Sequence, residues 1–167
     1  MNKKQLITLL VLITSVMSFG QAKKKADKAT NEWRYELECL GTGKDGTYLV
    51  KVWSYSKKVD VATAQAKKNA VHGIIFKGFT GGGQGCVAQK PLASNPNIEE
   101  EKADFFGPFF EDGGKYMKYV NVSSDGDITP VKVGKEYKIG VIVVILKDAL
   151  RADLENAGII RGLSSGF

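Results

Sequence analysis

A chain of 167 residues, 43% apolar, is long enough for one ordinary domain with its own core. Its net charge of +6 is modest, and Lys3, Lys4, Lys23, Lys24, Lys25 and Lys28 all lie near the N-terminus, so no basic folded face for nucleic acid is expected. One histidine and two cysteines are too few to build a zinc centre of the usual ligand set.

Residues 1–20 read as a cleavable signal peptide. Lys3 and Lys4 make a short basic start, Leu6 to Val16 is apolar, and Ser18-Phe19-Gly20 offers small residues at a cleavage site. The apolar run is short for a membrane span, which takes ~20 residues. No cysteine stands near the cut to carry a lipid, and no later segment approaches membrane-spanning length. The expectation is an exported protein that is periplasmic, outer-membrane associated or secreted. Residues 21–31 are polar and lysine-rich, a flexible basic leader to a single domain at 32–167.

From Trp33 to Leu40, Trp33, Tyr35, Leu37 and Cys39 alternate with Arg34, Glu36 and Glu38, which predicts a half-buried strand. Asp45-Gly46 is a hairpin dipeptide. Thr47 to Tyr55 is the returning strand, with Tyr48, Val50 and Val52 on one face. Asp60 to Phe76 predicts a helix, Asp60 as its cap and Val61, Ala64, Ala70, Val71, Ile74 and Ile75 on its apolar side.

Residues 79–115 form a long segment rich in glycine and aromatic residues. A short helix after Pro96 is expected to stop at Gly107-Pro108. Tyr116 to Val122 alternates as a strand, Ser123 to Asp127 is a turn, and Ile128 to Val133 is an edge strand because of Pro130. Tyr137 to Leu146 is β-branched and apolar, the pattern of a strand buried on both faces. Asp148 to Ala157 is an amphipathic helix closed by Gly158. The predicted fold class is α+β, with order β-β-α-(long loop)-β-β-β-α. Its simplest packing is a mainly antiparallel sheet with two helices on one face.

The alanine-rich helix Val61-Ala62-Thr63-Ala64-Gln65-Ala66-Lys67-Lys68-Asn69-Ala70-Val71 and the strand Tyr137 to Val144, in this element order, resemble the small α+β domain of the LPP20 lipoprotein and flagellar FlgT group. The resemblance covers roughly 45–80 and 115–157. It implies an envelope assembly part and brings no site residues. The Ser-Phe-Gly signal ending before Gln21 is similar to those of Bacteroidetes exported proteins.

Chemistry-bearing candidates are few. Cys39 and Cys86 are an even pair that an oxidising compartment can join, the other reading being two buried thiols. Phe105, Phe106, Phe109 and Phe110 flank Gly107-Pro108. Buried, they plug the sheet; exposed, they are a candidate partner surface. His72 stands alone on its helix. Gly81 to Gly85 lacks the Lys-Ser/Thr ending of a phosphate loop, and Asp125-Gly126-Asp127 lacks the further oxygens of a calcium loop. Glu99, Glu100, Glu101 and Asp104 suit the start of a helix. No catalytic, cofactor-binding or metal residue is assigned, and no cofactor is expected. The leading functional expectation is a non-enzymatic envelope protein, a binding or assembly module whose partner is an envelope protein or cell-surface component. The alternatives are a small cell-wall or glycan hydrolase using residues 99–104 with His72, and a secreted inhibitor or effector presenting the 79–115 loop.

Overall fold

The alternation of Tyr35, Leu37 and Cys39 with charged neighbours places those three on the inner face of strand β1 (Tyr35–Thr42). The computed structural model describes residues 33–44, 46–81, 85–123 and 130–162, and the elements named below lie in the unit Tyr35–Phe167. The signal and leader readings, most of the Gly81–Gly85 run, and the 125–127 turn fall outside the described residues. β1 pairs antiparallel with β2 (Thr47–Ser56), Leu37 opposite Val52 and Cys39 opposite Val50. The register shifts between Cys39 and Gly41, so one irregular step bends the edge strand. At the turn Gly46 takes a positive φ of 68°.

Helix α1 (Val59–Phe76) crosses the inner face and touches β1, β2, β3 and β5. (Strands β3 to β5 are Val120–Val122, Val131–Val133 and Glu136–Leu146.) It starts at Val59 with Lys58 in the cap position, so Asp60 lies inside the first turn and is not the cap expected from its residue type. The Lys58 N–H is instead taken by the Ser56 hydroxyl, 3.2 Å away. The buried side is Ala62, Gln65, Ala66, Asn69, Ala70, Val71, Ile74 and Ile75, while Ala64 is exposed. Small residues let the helix approach the sheet closely. At Gly73 a Cβ would collide with Leu37 and Tyr35 of β1. Asn69 satisfies part of its buried amide by donating to Ser54 Oγ at 2.9 Å.

Residues 79–115 prove to be two different things. Phe79 is buried, and Thr80, Gly81, Gly85, Val87, Ala88 and Lys90 are exposed. From Leu92 onward they join the core: the N–H groups of Leu92 and Ala93 bond the Ile74 and Ile75 carbonyls at the end of α1, at 3.1 and 2.9 Å. Short helices α2 (Ile98–Glu101) and α3 (Ala103–Phe110) follow. α3 runs through Gly107-Pro108 to Phe110, against the expectation of a break. Proline removes one intrahelical hydrogen bond, but Phe106, Phe109 and Phe110 are buried by continuing the helix, and that burial outweighs the loss.

Lys115–Tyr119 is a 3-10 turn rather than the first half of a strand. Tyr116 and Tyr119, three residues apart, both point inward, whereas alternation groups Tyr116 with Lys118. Only Val120–Val122 is extended. β3 and β4 both pair antiparallel with β5, which also pairs with β2 along its length. The strand order is β1-β2-β5-β3, with β4 also on β5, so the predicted α+β class holds. β5 is fully buried on one face only. Ile139, Val141, Val143 and Ile145 are inside; Ile142, Val144 and Leu146 are half-buried, because α1 covers only the inner face.

On the outer face Trp53 and Lys51 lie across Gly140, where a Cβ would strike both. Trp53 Nε1 donates to Glu38 at 3.0 Å and Lys138 to Glu36 at 2.9 Å, a polar lattice over the sheet. Helix α4 (Lys147–Asn156) buries Leu150 and Leu154. It ends with Gly158 at φ 66°, its N–H on the Glu155 carbonyl at 3.0 Å and that of Ile159 on Leu154 at 2.9 Å, which closes the helix as predicted. Tyr119 O–H donates to Asp153 at 2.5 Å; burial, that hydrogen bond and the carboxylate charge push its pKa up to about 12.

Candidate functional site

Cys39 faces inward from β1, and the loop after α1 passes beside it. The two meet: Cys39 and Cys86 form a disulfide, with Cα atoms 6.0 Å apart and a sequence separation of 47. Gly78, at φ 67°, turns the chain out of α1. Phe79 and Gln89 then exchange both backbone hydrogen bonds at 2.9 Å and make the neck of the loop. Gly81 faces the backbone of residues 86–88 so closely that a Cβ would clash with it. Further holds come from β2 and β1. Tyr48 O–H donates to Gln89 Oε1 at 2.8 Å, the Tyr48 ring meets Phe79 edge-on at 5.2 Å, and Thr42 Oγ1 donates to the Gly85 carbonyl at 3.3 Å. Gln89 uses its amide nitrogen on the Lys90 carbonyl at 2.6 Å.

Between these anchors stand Val87 and Ala88, both exposed. Val87 is 78% exposed, more than Met117, Val122, Val131 or Val133. A β-branched apolar side chain held in water by a disulfide on one side and a backbone neck on the other gains nothing for the core. Of the residues singled out from the sequence, the two cysteines are the pair that the fold brings to this place. Val87 itself carries no signal in the sequence, since a lone valine among glycine and polar residues is unremarkable there.

The other candidates lie elsewhere. Phe106, Phe109 and Phe110 are buried, as a plug requires, and Phe105 is half-buried. Their rings pack on one another, on Phe76 of α1 and on Tyr116 and Tyr119. The physical reason is the continued helix, which turns positions 106, 109 and 110 to one side.

His72, 3% exposed, sits in this aromatic surround with the Phe76 ring 4.6 Å away. Tyr35 O–H lies 2.6 Å from Nδ1, and Nε2 lies 3.2 Å from Glu99 of α2. With the phenol donating, Nε2 carries the proton and donates to the carboxylate. The contact joins α2 to α1 and β1. Burial lowers the His72 pKa from its usual value, against the raising influence of Glu99, and the Lys77 charge lowers it further. Burial raises that of Tyr35 and lowers that of Lys77, whose ammonium lies 4.0 Å over the Tyr35 ring.

A pH dependence follows. The unfolded chain takes up a proton at His72 near pH 6.5, and the folded chain resists it. Stability is therefore fully present above about pH 6.5 and is lost as pH falls through the lower folded pKa. Urea midpoints between pH 7.5 and 5 should fall in the native protein and fall less steeply in His72→Phe. Parallel slopes in the two proteins count against the assignment.

The remaining acids do not converge on His72: Glu101 accepts from Asn95 at 2.8 Å, and Glu100 and Asp104 are exposed. Among the described residues no three His, Cys, Asp or Glu side chains gather as a metal group. Among them, too, no helix is long and apolar enough to cross a membrane. A cleft of about 390 Å³ is lined by residues that include Ala93, Asn95, Ile98, Ile159 and Arg161, none of them in the stapled loop. Comparison with family models, with curated proteins and with solved structures finds no match for this chain.

Proposed function

We propose that this protein is an exported, non-enzymatic binding module of the cell envelope that grips a partner protein through the stapled segment 85–90. The observation that carries the reading is Val87, 78% exposed beside Cys86 of the disulfide. A loop fastened on both sides loses little conformational freedom on binding, so its contacts go further toward affinity. Disulfides persist in oxidising compartments, in keeping with the basic-apolar-small N-terminus. The element order, which resembles that of the LPP20 and FlgT envelope domains, supports the same assignment.

The test is a photo-crosslinking residue placed at Val87, with one at Met117 as an exposed apolar control on another element. Crosslinking in the native envelope should give a discrete adduct from position 87 that is absent from 117 and disappears when both cysteines are replaced by alanine. Equal adducts from both positions, or none from 87, would overturn the proposal. Deleting all of 80–114 is not a fair test, because Leu92, Ile98, Phe106, Phe109 and Phe110 belong to the core.

A further inference from the structure

The loop has a second property, beyond exposure, that bears on what its partner is. The peptide bond between Val87 and Ala88 lies between two independent tethers. Cys86 is fixed to β1 through Cys39, and Gln89 is fixed to Phe79 and Tyr48. If that one bond were cut, neither new end could leave. Neighbouring residues are small or satisfied: Ala88 has only a methyl group, and the Gln89 side chain is already bonded at both ends. Val87 is thus a large apolar side chain offered outward directly beside a bond that can open and reclose.

We propose that residues 85–89 form a reactive loop that blocks a serine endopeptidase whose specificity pocket takes a small aliphatic side chain, with Val87 entering that pocket. This rests on the reading of the loop as the contact surface and names the partner's class. A small branched aliphatic residue fits the shallow pocket of an elastase-type enzyme and neither the deep cationic-residue pocket of trypsin nor a slot for aromatic rings. The chemistry balances without water. The enzyme's serine oxygen adds to the Val87 carbonyl, the serine proton passes through the enzyme's histidine to the Ala88 nitrogen, and the Val87–Ala88 bond breaks to leave an acyl-enzyme and an amine. Cys86 and Gln89 hold acyl carbon and amine together, so the amine attacks in place of water, the proton returns to serine, and the original bond re-forms. Effective concentrations for such held groups reach ~10⁵ M or more, far above that of bulk water.

The experiment uses the oxidised full chain, an elastase with a small aliphatic pocket, trypsin, and chromogenic peptide substrates for each. Native protein should inhibit the elastase stoichiometrically and spare trypsin. Val87→Lys should weaken elastase inhibition by ~100-fold or more and transfer inhibition to trypsin. An unchanged melting curve for Val87→Lys shows that the fold is intact. Replacing Cys39 and Cys86 by alanine should convert the loop into a substrate, cut between Val87 and Ala88 with inhibition fading as cleavage proceeds. Native protein that leaves the elastase active at every concentration overturns the inference, as does steady turnover of the native loop or a failure of Val87→Lys to redirect specificity. A position-87 adduct with an envelope protein that is not a protease, together with no inhibition, sinks this inference and leaves the binding-module reading standing. Absence of both adduct and inhibition sinks both.

Discussion

Phe106→Ala should cost about 3–5 kcal/mol, the range for removing a buried aromatic ring. Phe106 is 3% exposed and stacks or abuts Phe76, Phe105, Phe109 and Phe110, with ring centroids between 5.0 and 6.2 Å. It sits where α3 meets the end of α1. Its neighbours are poorly placed to collapse into the space, because Phe109 and Phe110 are themselves packed on tyrosines of the 3-10 turn. Domains of this size are stable by about 5–15 kcal/mol, so the variant should stand near its folding limit. Urea unfolding followed by tyrosine and tryptophan fluorescence measures the loss. Phe105→Ala, at a half-buried position, should lose clearly less. Equal losses at 105 and 106, or a loss below about 1 kcal/mol at 106, would show that α3 is not packed as described.

Joint replacement of Cys39 and Cys86 by alanine should remove about 4 kcal/mol, the chain-entropy estimate for closing a loop with a sequence separation of 47. Cys39 is almost wholly buried, and alanine leaves a small void there. Most of the loss therefore arises in the unfolded chain, which regains the freedom of the opened loop. Unfolding of native protein with and without a reductant should reproduce the difference, and the double variant should be insensitive to reductant. The effect is also local: limited proteolysis should begin within 81–90, while residues 92–110 stay protected by their place in the core. Matching midpoints for native and double variant would refute the estimate.

Much of this fold is legible in the residues. Period-two alternation at Tyr35, Leu37 and Cys39 marks the inner face of β1, and the β-branched run at Ile139 to Ile145 marks the central strand. Helix ends are read less well: Lys58, with no side-chain acceptor, stands in the cap position of α1, while Asp60 lies inside the first turn. Two errors have one cause. Local rules break α3 at Gly107-Pro108 and make a strand of Lys115–Tyr119, but the burial of Phe106, Phe109, Phe110, Tyr116 and Tyr119 in one place decides both. The half-open outer face of β5 is a tertiary fact, since Ile142 and Val144 are as apolar as their buried neighbours. The His72 contacts lie 37 residues back, at Tyr35, and 27 forward, at Glu99, separations over which spacing rules say nothing. The same holds for Val87, whose importance depends on what is tied down around it.

The position of β5 in the sheet has a consequence for how the chain comes into being. This strand, Glu136–Leu146, is made late yet lies in the middle, between β2 and β3. On a ribosome the hairpin β1–β2 and helix α1 emerge first and have no central strand to rest on. Long-range pairing of this kind delays folding until both partners exist. The sheet therefore cannot be completed until Glu136–Leu146 has been made. Cys39 and Cys86 both precede the late strand, so their bond can close while the sheet still waits for its centre.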